Sequence, residues 1–305
     1  MKSVRIIIRK ILGRRGTFYL RNTLSYFYYL INEYRPEKKD GVSAMVCTYN
    51  EEDWVDLSLL SIRDLVNEYV VVDSSTDKTL DKVNEVRRRY GLPIKVVRIK
   101  AGDLVSARNI ALKEAKYRWI LHWDADFIAT PKLVSKVKEL LKTLNDNKCY
   151  LVYWKMIRLC GDPYHVCRNP YHVEHWLFTW SKELRYEWVD KYDSLIAPIY
   201  KYKVVFINEP LGFHLAYVRS PRRLIMKWIW WRFRSEADEF MRGGGTLEDF
   251  TKRKIKELFG MDDLTEAGKI LISRMIRELP KYDESLCGEL PREVVRRAIE
   301  LGITR

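Results

Sequence analysis

Residues 119–127 read Trp-Ile-Leu-His-Trp-Asp-Ala-Asp-Phe. A short apolar run closed by two carboxylates describes a buried strand whose carboxyl end carries Asp124 and Asp126. Acids placed so close to a buried strand cost stability unless they are paired or bind something.

Upstream, the same plan recurs. Val42–Cys47 reads as a buried strand, followed by Thr48-Tyr49-Asn50-Glu51-Glu52 and an amphipathic stretch through Trp54, Val55, Leu57, Leu59, Leu60 and Ile62. Tyr69–Val72 forms a second strand ending at Asp73. Ser74-Ser75-Thr76-Asp77 then offers side-chain acceptors to the free amides of a helix from Lys78 to about Tyr90. Ile94–Ile99 gives a third strand, 103–116 a helix, and Trp119–Trp123 the fourth strand. Alternating strands and helices predict an α/β domain.

Ligands of an open α/β sheet bind beyond the carboxyl ends of its strands. Three polar clusters fall there, namely Thr48–Glu52, Asp73–Asp77 and Asp124–Asp126, and they are expected to share one crevice. Two carboxylates separated by a small residue are hard oxygen donors suited to Mn²⁺ or Mg²⁺ on a diphosphate. No Gly-x-Gly-x-x-Gly follows the first strand and no Gly-x-x-x-x-Gly-Lys-Ser/Thr occurs, so neither a dinucleotide fold nor a P-loop is indicated.

Four blocks, CTYNEEDWVDLSLLSI (47–62), EYVVVDSSTDKTLDKV (68–83), SARNIALKEA (106–115) and WILHWDADF (119–127), resemble family 2 glycosyltransferases in order and spacing. The resemblance covers about residues 42–130 and fades beyond 145. It implies the GT-A fold, a Rossmann-like mixed α/β sheet of nucleotide-diphospho-sugar transferases. It also implies an inverting, hexosyltransferase-like reaction from a GDP- or UDP-sugar, with Mn²⁺ or Mg²⁺ as cofactor. Thr48, Tyr49, Glu51, Asp73, Ser75, Arg108 and Asp124 are the implied nucleotide-sugar-binding residues. Among them, Tyr49 and Glu51 lie near base and ribose, Asp73 on the base, and Arg108 on the diphosphate or Asp124. Asp124 and Asp126 are the implied metal ligands, and His214, in Gly212-Phe213-His214, resembles a histidine that closes the metal site in several GT-A enzymes. The chemistry is coherent, because the sugar–phosphate bond breaks through an oxocarbenium-like state while charge gathers on the departing diphosphate.

A hydroxyl acceptor needs a general base. Residues 176–195, WLFTWSKELRYEWVDKYDSL, place Asp190 and Asp193 after an aromatic, strand-like segment as catalytic candidates, with Glu174 as a third. The family commonly shows a His-Glu or Glu-Asp pair here, and Val189-Asp190-Lys191 departs from both. A polyprenyl phosphate acceptor would need no base, because its oxygen is already an anion.

The 305 residues carry a net charge of +14, held mostly by two segments. Residues 1–35 hold Lys2, Arg5, Arg9, Lys10, Arg14, Arg15, Arg21 and Arg35 against Glu33, among Ile6, Ile7, Ile8, Ile11, Leu12, Phe18, Tyr19, Leu24, Phe27, Tyr28, Leu30 and Ile31. Residues 219–234 hold six cations and no acid; helical spacing sets Arg223, Lys227 and Arg234 largely opposite Leu224, Ile225, Trp228, Ile229 and Trp231. Basic and aromatic residues on an in-plane helix suit an anionic headgroup boundary. No apolar run reaches a bilayer span and no cleavable leader is evident, so a peripheral position on the cytoplasmic face of a membrane is expected. A lipid-linked or other membrane-proximal glycan acceptor and an anionic membrane are the expected partners, and nucleic acid is not.

The cysteines, Cys47, Cys149, Cys160, Cys167 and Cys287, are scattered and odd in number, as a reducing compartment allows. Cys160, His165, Cys167, His172 and His175 are zinc-type ligands, but the gap between Cys160 and Cys167 does not fit structural zinc spacing. A polar loop and a Cys160–Cys167 disulfide are the other readings.

The expected layout is a basic arm over 1–38, a catalytic domain over 39–218 divided near 130, an interfacial helix over 219–242, and a helical tail over 243–305. Tail helices are predicted at about 247–259, 263–278 and 291–302. Three other readings stand beside this one: an inactive GT-A relative that binds a sugar nucleotide or glycan, a nucleic-acid-binding protein, and a GT-A-fold nucleotidyltransferase, whose usual Gly-rich, Lys/Arg-containing loop after the first strand is replaced here by Thr48-Tyr49-Asn50-Glu51. Asp73, Asp124 and Asp126 are all present, against the first, and three polar clusters at successive strand ends go unexplained by the second.

Overall fold

The computed structural model describes residues 2–100, 103–190, 192–286 and 288–304, with the side chains of 2–11 left aside. Lys191, Cys287 and the side chains of Lys2, Arg5, Ile6, Ile7, Ile8, Arg9, Lys10 and Ile11 therefore lie outside the described residues.

The chain divides into two units, Met1–Lys155 with Val173–Leu211, and Met156–His172 with Gly212–Arg305. The first opens with helix α1 (Lys2–Ile31), kinked at Gly13, whose φ of 64° falls in the left-handed region that glycine tolerates. Strands and helices then alternate: β1 (Lys39–Thr48), α2 (Val55–Ser61), β2 (Glu68–Asp73), α3 (Thr79–Tyr90), β3 (Ile94–Arg98), α4 (Leu104–Glu114) and β4 (Tyr117–His122). Next come β5 (Phe127–Ala129), α5 (Pro131–Thr143), β6 (Cys149–Cys160), β7 (Val166–Thr179), the hairpin β8 (Arg185–Val189) and β9 (Tyr192–Ile196), and β10 (Tyr202–Tyr217).

Eight strands form one mixed sheet in the order β3-β2-β1-β4-β7-β6-β10-β5, and β8 pairs with β9 alone. β1 runs parallel to β2, with Thr48 opposite Asp73, and parallel to β4, with Met45 opposite His122. β4 meets β7 antiparallel. From β1 the chain winds outward through β2 and β3, then returns to β1's other edge as β4. The carboxyl ends of β1 and β4 thus flank the point where strand order reverses, where open α/β sheets hold their ligands.

Apolar residues drive this arrangement. Met45, Val70, Val72, Ile120 and Phe178 on the strands pack with Ala111 and Leu112 of α4 in one buried cluster. Each such large side chain fully buried contributes about 1.5–3 kcal/mol. Helix ends are set by side chains: Asp103 accepts from the amides of Val105 and Ser106 at the start of α4, and Thr130 from Leu133 before α5, where Pro131 opens the first turn.

The second unit adds α6 (Pro221–Arg232), α7 (Arg234–Arg242), α8 (Leu247–Phe259), α9 (Leu264–Glu278) and α10 (Arg292–Glu300). The expected interfacial helix over 219–242 is in fact two helices that break at Phe233. Leu224, Ile225 and Ile229 are buried, so much of the α6 apolar side is used in packing rather than turned outward, while Trp231 remains 44% exposed. Gly268 explains how closely α9 approaches, because a side chain there would strike the Pro221 backbone.

Cys160 and Cys167 are joined as a disulfide at the β6–β7 connection. The zinc reading of this segment does not survive, because both thiolates are consumed and the histidines have different partners. His165 Nδ1 lies 2.7 Å from Asp162, His172 Nδ1 3.0 Å from His214 Nδ1, and His175 Nδ1 2.7 Å from Glu174. Among the described residues no group of three His, Cys, Asp or Glu side chains is arranged to hold a metal.

Candidate active site

The loops after β1 and β2 are stitched together. Asn50, at a left-handed φ of 58°, donates its amide to Ser75 Oγ at 2.8 Å, and its side-chain oxygen accepts from the Thr76 amide at 2.8 Å. Glu51 donates its amide to Thr79 Oγ1 at 2.7 Å, and Glu52 Oε2 accepts from the Lys78 amide at 3.0 Å. Glu52 and Asp77 thus supply acceptors to the first turn of α3. Tyr49 stands outward at this loop, 47% exposed, an aromatic face open to a planar ring.

Asp73 is fully buried at the end of β2. Its carboxylate accepts from Thr48 Oγ1 at 2.6 Å, from the Ser75 amide at 3.3 Å, and from Arg98, whose guanidinium also donates to the Ser75 carbonyl. Thr48, Asp73 and Ser75, each proposed from sequence, therefore form one hydrogen-bonded group. Arg98 was not foreseen; its position opposite Asp73 in the β2–β3 register puts it there.

The second group centres on the turn after β4. Asp124 and Asp126 occupy a tight turn closed by the Phe127 amide on the Asp124 carbonyl at 3.0 Å, and Ser58 of α2 donates to that same carbonyl at 3.0 Å. Arg108 reaches this turn from the buried side of α4, where Ala107, Arg108, Ala111 and Leu112 face the sheet. Its Nη2 donates to Asp124 Oδ1 at 2.7 Å and its Nε to Asp193 Oδ2 at 3.2 Å.

Asp193 arrives on the β8–β9 hairpin, which α4 holds through a reciprocal pair. Asn109 Nδ2 donates to the Tyr186 carbonyl at 3.0 Å, and the Tyr186 amide to Asn109 Oδ1 at 2.8 Å. Asn109 was missed; its place beside Arg108 in the SARNIALKEA block was the available signal. Asp190 is not brought into this group. It sits exposed at the hairpin turn with φ 54°, paired to neither Arg108 nor Asp124, and its backbone conformation is the reason a turn-tolerant residue stands there. Glu174 lies on β7 against His175.

Beneath the carboxylates the environment is aromatic. His122 packs edge-on to Trp176 and Tyr186 at 5.7 and 5.9 Å, and Phe127 to Trp176 at 5.0 Å. Tyr186 Oη lies 3.2 Å from His122 Nδ1, and His122 Nε2 lies 3.6 Å from Asp124 Oδ1. Burial, with the Arg108 charge, lowers the His122 pKa. Burial raises the proton affinity of Asp124, but Arg108 and His122 outweigh it and hold the carboxyl well below the usual range. His122 is a residue that sequence reading passed over as part of a strand.

Asp126 is buried, and two carboxylates from one tight turn fit a hard divalent ion that takes its other ligands from water and substrate phosphates. His214 lies on the part of β10 in the second unit, its ring stacked on His172 at 5.1 Å.

The family model for glycosyl transferase family 2 matches residues 43–203, which takes in Asp73, Arg108, Asp124, Asp126 and Asp193. An uncharacterized glycosyltransferase of Haemophilus influenzae is 32% identical over 106 residues, 33% of this chain and 32% of that protein. The poly(ribitol-phosphate) beta-N-acetylglucosaminyltransferase TarS of Staphylococcus aureus is 36% identical over 90 residues, 28% of this chain and 16% of that protein. The chain thus spans a third or less of these curated relatives. Among solved structures, S. aureus TarS 1-349 in complex with UDP-GlcNAc aligns at 16% identity and TM-score 0.40, over 85% of this chain and 79% of that one. The mannosyltransferase PcManGT of Pyrobaculum calidifontis, in complex with GDP-Man and Mn²⁺, aligns at 15% identity and TM-score 0.41, over 97% and 96%. With the family model matching more than half of the chain, and the mixed sheet carrying its carboxylates at the point where strand order reverses, this protein belongs to glycosyl transferase family 2.

Proposed function

We propose that the protein transfers a hexosyl group, with inversion, from a GDP- or UDP-sugar to a lipid-linked acceptor. The observation that carries this reading is the buried guanidinium of Arg108, which joins Asp124, at the strand-order switch point, to Asp193, on the hairpin. The donor side of that pair lies beyond β1 and β4, and the hairpin supplies the other side.

In this reading Tyr49 and the Thr48–Asp73–Ser75 group receive the nucleoside, with Arg98 moving off Asp73 as the base arrives. Arg108 faces the diphosphate, where a fixed cation in an aromatic-walled site opposes the charge that builds on the leaving group without reorganising at the moment of reaction. Asp124 and Asp126 would hold a divalent ion, which supplies further neutralisation of that charge when bound. Asp193 is the acid placed to take a proton from a hydroxyl acceptor. A phosphate acceptor would leave Asp193 a positioning role through Arg108.

The test is binding and hydrolysis across GDP-, UDP- and dTDP-sugars with Mn²⁺, using wild type beside Asp126→Ala. One donor should be bound and slowly hydrolysed, with both lost in the variant while Tm holds. Equal metal-dependent binding by the two proteins would overturn the assignment of Asp126.

A further inference from the structure

We propose that the outward face of α1 docks the protein on an anionic lipid bilayer, with Tyr19, Tyr26, Phe27, Leu30 and Ile31 inserted at the headgroup boundary. This goes beyond the transfer reaction, since none of these side chains belongs to the carboxylate groups, and docking stands or falls without that chemistry.

Beyond the Gly13 kink, α1 has two unlike sides. The inner one is fastened to the first unit. Asn22 makes a reciprocal pair with Val204, donating to its carbonyl at 3.2 Å and accepting from its amide at 2.6 Å. Tyr29 Oη donates to the Lys201 carbonyl and accepts from the Cys149 amide, both at 2.8 Å, and the Phe18 ring packs on Tyr153 at 4.8 Å. Positions 18, 22, 25 and 29 repeat at helical spacing, and Ser25 among them is buried.

The opposite side is apolar and uncovered. Tyr19 is 76% exposed, Tyr26 64%, Phe27 60%, Leu30 61% and Ile31 87%. Spacings of seven, eight, eleven and twelve residues from Tyr19 set them along one side. They form a stripe about 18 Å long at 1.5 Å per residue. A soluble surface rarely arrays large apolar side chains contiguously without a use for them.

Charge identifies the occupant. Arg14 and Arg15 are exposed at one end of the stripe and Arg35 beyond the other, and the arm through residue 35 carries Glu33 as its one acid. Aromatic and aliphatic groups bracketed by arginines match a surface that is apolar within and anionic at its rim. A second copy of the chain fits poorly. It would bring two +7 arms together, and a stripe one helix wide offers roughly 200 Å², against about 800 Å² per partner in a stable interface. Among the described residues no helix is long and apolar enough to cross a membrane, so α1 is assigned to the plane of the surface.

The experiment is sedimentation of the full chain with vesicles of phosphatidylcholine alone and with 30 mol% phosphatidylglycerol (a chosen composition, about a third anionic). Wild type should bind the anionic vesicles, bind neutral ones far less, and be released by high salt. Phe27→Ser/Leu30→Ser/Ile31→Ser should lower anionic binding at least tenfold. Ile31→Glu, at the most exposed position, is the second variant should the triple change unfold the protein. Wild-type binding by either folded variant, or failure of wild type to bind anionic vesicles, would overturn the proposal. So would a wild-type dimer in light scattering that these substitutions dissociate, since the stripe would then serve self-association.

Discussion

Arg108 donates to Asp124 Oδ1 at 2.7 Å from a side chain only 5% exposed. A buried guanidinium of this kind is stable because carboxylates surround it; removing it strands them. Arg108→Ala should therefore destabilise the protein by about 3 kcal/mol, below the cost of a fully buried pair because Asp124 and Asp193 keep some solvent contact. That corresponds to a Tm lower by roughly 5–10 °C. Arg108→Lys should recover part of the Tm but little donor turnover, because an ammonium cannot serve both acids as a planar fork does. An unchanged melting curve for Arg108→Ala would contradict the geometry.

Asp193 and Asp190 separate cleanly. If the acceptor is a hydroxyl, Asp193→Asn should lower kcat by about 10²–10⁴ while the fold persists. Asp190→Ala should leave kcat within about twofold, the range expected when no reacting atom is touched. The hairpin turn gives Asp190 its own signature: Asp190→Gly should be neutral or slightly stabilising, and Asp190→Val should cost about 1–2 kcal/mol at φ 54°. Kinetics and thermal melts on the four variants decide the matter.

Asp73 should act on donor affinity rather than on turnover. Asp73→Asn is expected to raise the donor Kd about tenfold, the worth of one good hydrogen bond. Kcat at saturating donor should change much less. Arg98→Gln, which takes a half-exposed donor away from the fully buried Asp73 carboxylate, should cost about 1–3 kcal/mol. Titration calorimetry on the two variants separates a base-reading role from a structural one; a pure kcat loss for Asp73→Asn would count against the assignment.

Cys47 reports on the same interior. Burial pushes its thiol up to about 11, only partly opposed by Arg108. Because the folded value lies above the ordinary 9.0, this thiol's contribution to stability is intact below pH 9 and is lost as pH rises from there toward 11. Iodoacetamide at pH 8 should modify Cys47 in the denatured chain and spare it in the native one, as mass spectrometry would show. Native labelling at pH 8 as fast as that of the denatured chain would contradict the raised pKa of this partly buried thiol.

Reducing the Cys160–Cys167 bridge should lower stability by about 2 kcal/mol, as expected for a short closed loop. Intact mass under non-reducing conditions, and melts with and without a phosphine reductant, test this directly.

Much of the first half was readable from residues alone because its strands are buried. Apolar runs such as Tyr69–Val72 and Trp119–Trp123 announce strands by composition, and the acids that end them stand out against that background. The observed β2 and β4 follow those runs closely, and the loop residues Thr48, Asp73 and Ser75 converge as their positions at adjacent strand ends require. Legibility falls in the hairpin. Asp190 and Asp193 are the same residue type three positions apart, and nothing local separates an acid at a turn from one reaching Arg108 across 85 residues of sequence.

The two basic, aromatic segments make the division plain. By sequence, residues 1–35 and 219–234 are alike, cations among large apolar side chains at helical spacing, and that pattern determined that each would form a helix with something to bury. What each buries its apolar side against depends on neighbours distant in the chain. α6 meets α9 where Gly268 lets the helices close, and its Leu224, Ile225 and Ile229 vanish from solvent. α1 is fastened by Asn22, Phe18 and Tyr29, which leaves Tyr19, Phe27 and Ile31 outside. Periodicity sets which residues share a helix face; only the packing of the folded chain selects the face that meets water.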